Sequence, residues 1–350
     1  MIKKLLVVLI IWISLSIHAQ QSYYNDVDLT KSGIALKDEL ATKVINTHTR
    51  TLSYSPGVWE ACKATDVNPD NSSEVLLIYG YSASGTTAKT RGINANGGNT
   101  GDWNREHVYA KSLGTPDLGT SGPGADAHHL RPADVSYNSS RGNKTFATGS
   151  GNSGSVTNGW YPGDEWKGDV ARMMMYMYLR YGNQCLPKNV GVGTANGVDS
   201  NMIDLFLQWN AEDPVSEVED QRNTYHENTS NTYAQGNRNP FIDNPNLATQ
   251  IWGGPTAENR WATAGVADNV LSKIKIYPNP SAIKKVIIKV PSNIEVTEIT
   301  LYSILGKKID SQIPTSSMNN TYTLDELQTG IYLLKISNKT SSITKKIVIQ

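Results

Sequence analysis

Trp103-Asn104-Arg105-Glu106-His107-Val108-Tyr109 sets a carboxylate beside an imidazole, with an arginine next to them. Two further stretches follow, Asp126-Ala127-His128-His129-Leu130-Arg131-Pro132 and Ser136-Tyr137-Asn138-Ser139-Ser140-Arg141-Gly142-Asn143-Lys144. Three of the six histidines fall in the first two stretches. His107 on an extended segment is a candidate general base. Glu106 and Asn138 offer hard oxygen ligands, which suit Mg²⁺ or Ca²⁺ rather than Zn²⁺. Arg131 and Arg141 are both candidates to grip a phosphate, and the sequence does not choose between them. Any one of these residues is more often structural than catalytic. Together their types fit one reaction, the metal-assisted hydrolysis of a phosphodiester.

The chemistry constrains the local fold. Residues 103–109 and 128–131 read as two β elements, and residues around 133–140 open an α element that carries Asn138 back over the strand. Neighbouring residues on a strand point to opposite faces. Glu106 and His107 therefore cannot both face one metal in a flat strand, so the strand must end or bulge there. His128-His129 invite a metal reading. The alternative, that one braces the fold and the other hydrogen-bonds the backbone, is favoured. Asp126 and His128 are assigned supporting positions behind the site, with Asp126 orienting a neighbouring His or Arg.

The motifs Trp-Asn-Arg-Glu-His-Val, Asp-Ala-His-His-Leu-Arg-Pro and Asn-Ser-Ser-Arg-Gly-Asn resemble the core of the bacterial endonuclease I family. Further likenesses lie at Tyr23-Tyr24, Leu52-Ser53-Tyr54, residues 167–174, residues 209–215 and residues 235–243. They cover about residues 23–252 in the family's order. The resemblance implies a secreted, non-specific nuclease with a ββα-metal (His-Me finger) site. It also implies DNA as substrate, RNA as a further one, and products with 5′-phosphate ends.

Outward from this core, residues 1–20 begin with Lys3 and Lys4 and continue with an apolar run from Leu5 to Ile17. That is the pattern of an export signal, and the run is short for a membrane span. No second long apolar stretch occurs, so no membrane span is expected after signal removal. With 38% hydrophobic and 18% charged residues the chain can build a core. Export permits a Cys62–Cys185 disulfide, and their spacing neither supports nor forbids it. Zero formal net charge hides an asymmetry. Residues 22–269 carry 19 Lys+Arg against 27 Asp+Glu, so −8; residues 270–350 carry 11 Lys against 5 acids, so +6. All ten arginines lie in the acidic part. The switch marks a domain boundary, and the acidic body requires a local basic groove if it is to bind a polyanion.

Apolar spacing predicts helices over 34–48, after Pro56, over 167–183 and over 200–210. Val75 to Tyr81 reads as a buried strand. The Met stripe of 167–183 reads as core filling. The Asn and Arg side chains of Gln235–Asp243 read as loop-locking, with substrate contact as the alternative.

Residues 273–350 change texture. Short β-branched runs begin at Ile274, Val286, Ile299, Ile331 and Lys345, separated by turns, which suggests a small β-sandwich. Tyr277-Pro278-Asn279-Pro280, residues 301–307, Thr329-Gly330-Ile331-Tyr332 and the Lys-rich end resemble the type A sorting domain of type IX secretion. That resemblance implies the type IX machinery as a partner and a route through the periplasm to the medium or cell surface.

The expected class is α+β: a mixed helical and β nuclease domain with a ββα-metal motif, plus a small all-β sandwich. The expected division is a signal peptide at 1–20, a catalytic domain at 21–265, a linker at 266–272 and a sorting domain at 273–350. In the expected reaction His107 is the base, Glu106 and Asn138 hold Mg²⁺ (with Ca²⁺ or Mn²⁺ as alternatives), and Arg141 or Arg131 contacts the phosphate. Two alternatives stand beside it, a non-catalytic surface protein that binds nucleic acid and another secreted metal-dependent phosphoesterase.

Overall fold

The computed structural model describes residues 22–261, 270–291, 294–304, 306–312, 320–338 and 342–350. The expected leader and residues 266–269 of the expected linker lie outside them. The chain divides into two compact units, Met1–Trp261 and Ala262–Gln350.

In the first unit, α1 (Gly33–Thr47) buries Leu36, Leu40 and Val44, one residue per turn on a single face. Ile34 and Ile45, at the ends of the expected stripe, face outward. α2 (Gly57–Thr65) starts directly after Pro56 and buries Val58, Ala61 and Cys62. β1 (Val67–Asn68), β2 (Asn71–Leu76) and β3 (Thr90–Gly92) form a small antiparallel sheet. The strand expected through Tyr81 stops at Leu76. Tyr79 takes a positive φ of 71°, which breaks the extended path. The segment is buried all the same. The Leu77 amide donates to Lys89 O and that of Ile78 to Pro132 O.

β4 (Trp103–His107) and β5 (Leu130–Asp134) pair antiparallel, from Trp103↔Asp134 to His107↔Leu130. α3 (Val135–Arg141) follows at once and packs on both. β6 (Gly154–Val156) and β7 (Gly159–Tyr161) make a hairpin. α4 (Lys167–Tyr181) is the core helix, buried from Gly168 to Leu179, and Met173, Met174, Met175 and Met177 fill the space between its neighbours. Around it lie α1, α5 (Asp204–Glu212) and α7 (Pro240–Asp243), with α6 (Glu217–Glu227) and α8 (Asn246–Trp252) completing the unit.

A buried ion network joins these layers. Arg131 on β5 bonds Asp66, after α2, and Asp169 on α4; Arg222 on α6 also bonds Asp66; Arg172 on α4 makes a two-toothed pair with Glu219 on α6. The Gln235–Asp243 stretch is likewise held inside. Gln235 bonds Asp126 and the Ala127 amide, Arg238 grips Asp243, and the Asn239 side chain caps α7. Those contacts match the loop-locking reading. Cys62 and Cys185 are buried, unpaired thiols in separate apolar clusters.

The second unit is all β. β8 (Lys275–Tyr277), β9 (Val286–Lys289) and β12 (Thr321–Leu324) form one antiparallel sheet. β10 (Glu298–Ser303), β11 (Lys308–Gln312), β13 (Gly330–Ser337) and β14 (Ser342–Ile349) form the other. Alternate residues of both, such as Val286, Ile288, Leu334 and Ile336, share one apolar core. The five expected runs are all strands. β11 and β12 carry too few apolar residues to announce themselves. Among the described residues no helix is long and apolar enough to cross a membrane.

Candidate active site

β4 sorts its side chains by face. Trp103, Arg105 and His107 share one side; Asn104 and Glu106 share the other, where α3 lies. The strand ends at His107, and beyond that end Glu106 and His107 open into the same cavity. The cavity measures 280 Å³ and is also lined by Arg105, Lys111, Asn138 and Arg141.

Asn138 is aimed by two devices. The Asp134 carboxylate caps α3, accepting from the amides of Ser136 and Tyr137 at 2.9 and 3.0 Å. The amide nitrogen of Asn138 donates to Asn104 Oδ1 at 2.7 Å, which leaves its own oxygen as an acceptor. Gly142, with φ +56°, turns the chain away directly after the helix.

Glu106 is 2% exposed. It accepts from Tyr79 Oη at 3.0 Å, and Arg141 Nη1 lies 3.3 Å away. Burial pushes its carboxyl up to about 7, against the pull of Arg141 and Tyr79. A nearby cation would return it to the charged form.

His107 Nε2 lies 3.0 Å from Gly124 O. A carbonyl can only accept, so Nε2 carries the proton and Nδ1 holds the lone pair. The ring stacks on Tyr54 at 5.5 Å. Burial, with His129 and nearby cations, pushes its pKa down to about 3, so the imidazole is neutral at ordinary pH.

Arg141 is 1% exposed. Besides Glu106, its Nη groups bond the carbonyls of His107, Val108 and Gly142. Arg131 does not line the cavity. It is fully buried in the network with Asp66 and Asp169, whose charges hold its pKa up despite burial. Of the two arginines left open by the sequence, the fold brings only Arg141 to the site.

Asp126 and His128 lie behind the site, outside the cavity lining. Asp126 accepts from Tyr176, Tyr181, Gln235 and the His128 amide. Burial opposes its charge, but His48, His128 and Gln235 hold its carboxyl below the usual range. His128 Nε2 reaches Asn237 at 3.2 Å, and its ring packs on Tyr176 and His226. His129 Nε2 donates to Pro123 O at 2.7 Å, and its ring lies 5.7 Å from that of His107. This pair thus takes the bracing and backbone-bonding roles.

Tyr79, Asn104, Tyr54, Gly124 and Arg105 complete the surroundings. Arg105 was open to detection as the neighbour of Glu106, and Asn104 as the residue two before it and hence on its face. Arg105 rests over the rings of Tyr54 and Trp59, at 3.6 and 4.0 Å.

With this geometry in place, likeness to known proteins decides the family. Residues 32–246 match the Endonuclease I family and residues 275–350 match a secretion system C-terminal sorting domain. The chain belongs to the endonuclease I family. An extracellular ribonuclease of Bacillus subtilis (strain 168) is 44% identical over 255 residues, covering 68% of this chain and 83% of the relative. An extracellular ribonuclease of Bacillus amyloliquefaciens is 44% identical over 243 residues, 66% of this chain and 78% of the relative. This family member is a nuclease, and with its sorting tail it is secreted or held at the cell surface.

Among the described residues no three His, Cys, Asp or Glu side chains are grouped to hold an ion. An ion in this cavity would take Glu106, the Asn138 oxygen and water. That all-oxygen set fits a small hard cation that keeps much of its hydration, which is the behaviour of Mg²⁺.

Proposed function

We propose that this nuclease is a metal-dependent, sequence-non-specific endonuclease that hydrolyses DNA and RNA and leaves 5′-phosphate ends. The observation that carries the reading is the paired setting of His107 and Glu106. One presents a neutral Nδ1 with its lone pair free, the other a buried carboxylate, in one cavity.

Nδ1 of His107 takes the proton from an attacking water. Gly124 O holds the ring in the tautomer this requires and stabilises the imidazolium that results. Glu106 and Asn138 would hold the divalent ion, Mg²⁺ in our reading, with Tyr79 and Asn104 fixing their orientation. When bound, the ion supplies positive charge to the pentavalent phosphorus and the leaving 3′-oxygen. Arg141 adds positive charge at Glu106 and keeps the end of β4 in place through the carbonyls of His107 and Val108. The endonuclease I family is in general dependent on a divalent ion, which supports this division of labour. The two relatives named extracellular ribonucleases support RNA as a substrate beside DNA, which rests on the family resemblance.

The test is plasmid nicking and RNA cleavage by the purified protein with Mg²⁺ and with EDTA. Cleavage of both that EDTA abolishes is the expected result. Cleavage that survives EDTA would overturn the metal step, and cleavage of one polymer alone would narrow the substrate. The sorting tail and its expected partner, the type IX machinery, account for delivery of the enzyme and take no part in the reaction.

A further inference from the structure

We propose that Arg105 is a phosphate-binding residue, its guanidinium stacked on Tyr54 and Trp59 at the rim of the Glu106–His107 cavity, where it holds a backbone phosphate next to the scissile one. The proposal rests on the nuclease reading of that cavity.

The argument begins with where the other arginines are used. Of ten, seven form ion pairs: Arg91, Arg131, Arg141, Arg172, Arg222, Arg238 and Arg260. Arg50 bonds four backbone carbonyls and Arg180 bonds His48. Arg105 meets no carboxylate among the described residues. Its hydrogen bonds leave from Nη1 alone, to Tyr54 O and Ser55 Oγ. Nη2 is left over, and beneath it Nε is buried with no partner. An arginine on the cavity wall with donors to spare is the group a phosphate would meet.

The stacking has a consequence for binding. A free Arg side chain loses rotamer freedom when it grips a ligand; one held between hydrogen bonds and two rings has lost most of it already. The rings also favour the cation without neutralising it. Electrostatics add a second reason. Residues 22–269 carry a formal charge of −8, so a polyanion must approach along whatever cations are unpaired. Lys111, on the same cavity, also forms no ion pair among the described residues. Arg105 and Lys111 flank Glu106 and His107 in the chain. Contacts of this kind carry no base information, in keeping with a non-specific enzyme.

The experiment measures binding in EDTA, so that it does not depend on turnover. Fluorescence anisotropy of a labelled 12-nucleotide single-stranded DNA gives Kd across a salt series for wild type, R105A and R105K. R105A is expected to weaken binding about 10-fold or more at low salt. It should also reduce the slope of log Kd against log salt by about 0.7, the value of one phosphate contact on a single strand. R105K should keep most of the slope and recover part of the affinity. Unchanged Kd and slope in R105A would overturn the proposal. Should R105A fail to fold, R105Q keeps the stem and a planar amide, and must show the same lost slope. Wild-type cleavage with Mg²⁺, run in parallel, tests the nuclease reading separately. Absent cleavage with intact Arg105-dependent binding refutes that reading and supports the contact.

Discussion

Replacing Arg131 by Met separates structure from catalysis in this site. Arg131 is the middle of a buried chain of charges, between Asp66 and Asp169. Removing one member of a buried ion pair costs about 3–5 kcal/mol, because the partner stays buried without its counter-charge. Two features limit the damage. Asp66 keeps Arg222, and Asp169 is held up by burial and Glu219, so it can take up a proton when Arg131 is gone. The expected loss is therefore near 3 kcal/mol rather than twice that figure. In a domain of this size each kcal/mol lowers Tm by about 2–4 °C, so Tm should fall by roughly 6–12 °C. Thermal unfolding by circular dichroism gives Tm, and plasmid nicking well below it gives activity per folded molecule, which should stay within about threefold. A variant with normal Tm and activity down a hundredfold would refute this reasoning and return Arg131 to the phosphate.

Other outcomes follow from the same geometry. His107→Ala should lower kcat by about 10²–10⁴ while leaving the metal concentration at half-activity unchanged. A near-normal rate at saturating Mg²⁺ would remove His107 as the base. Glu106→Gln and Asn138→Ala should both raise that half-activity concentration, and titration curves that coincide with wild type would show that neither residue holds the ion. Stability should fall on mild acidification. Buried His128 and His129 are pushed down to about 4, so unfolded chains bind protons near 6.5 that the native state refuses. The contribution of these two histidines is thus full above about pH 6.5 and is lost towards pH 4, by about 3 kcal/mol each, offset in part by the buried Glu106 carboxyl, which takes up its proton from about pH 7 downward and gains stability as it does. Urea midpoints that stay level between pH 7 and 5 would contradict this. Truncation after residue 268 should leave a soluble, active nuclease, since no proposed site residue lies beyond it. Loss of cleavage in the truncated, folded protein would join the two units functionally.

What the sequence made legible was local. Glu106 beside His107, and Asn138 a short helix beyond Asp134, lie close enough in the chain for period and chemistry to place them together. Even the requirement that β4 end at His107 follows from strand alternation. The five C-terminal runs were legible for the same reason, since a β-branched run between turns is read within a strand. What stayed hidden depends on partners distant in sequence. Tyr79 reaches Glu106 across 27 positions, and Tyr54 lies 51 positions before Arg105, whose Nη1 bonds its carbonyl. Tyr79 also sits where a strand was expected, and its positive φ has no signal in a Tyr codon.

The arginines show the limit most clearly. Arg105, Arg131 and Arg141 are equivalent in composition and all lie within the core motifs. Their roles diverge because of carboxylates supplied elsewhere. Asp66 and Asp169, 65 and 38 positions away, take Arg131 into the interior. Glu106 and three carbonyls hold Arg141 at the cavity wall. Arg105 receives no acid among the described residues, only two rings, the Tyr54 carbonyl and the Ser55 hydroxyl, so its charge stays unpaired on the cavity wall. The excess of acids over bases in this unit opposes a polyanionic substrate everywhere except where cations are gathered locally. Internal pairs take up acids and bases one for one and leave that surplus in place, so the cations that stay unpaired on the cavity among the described residues, Arg105 and Lys111, are the ones a phosphate backbone would meet.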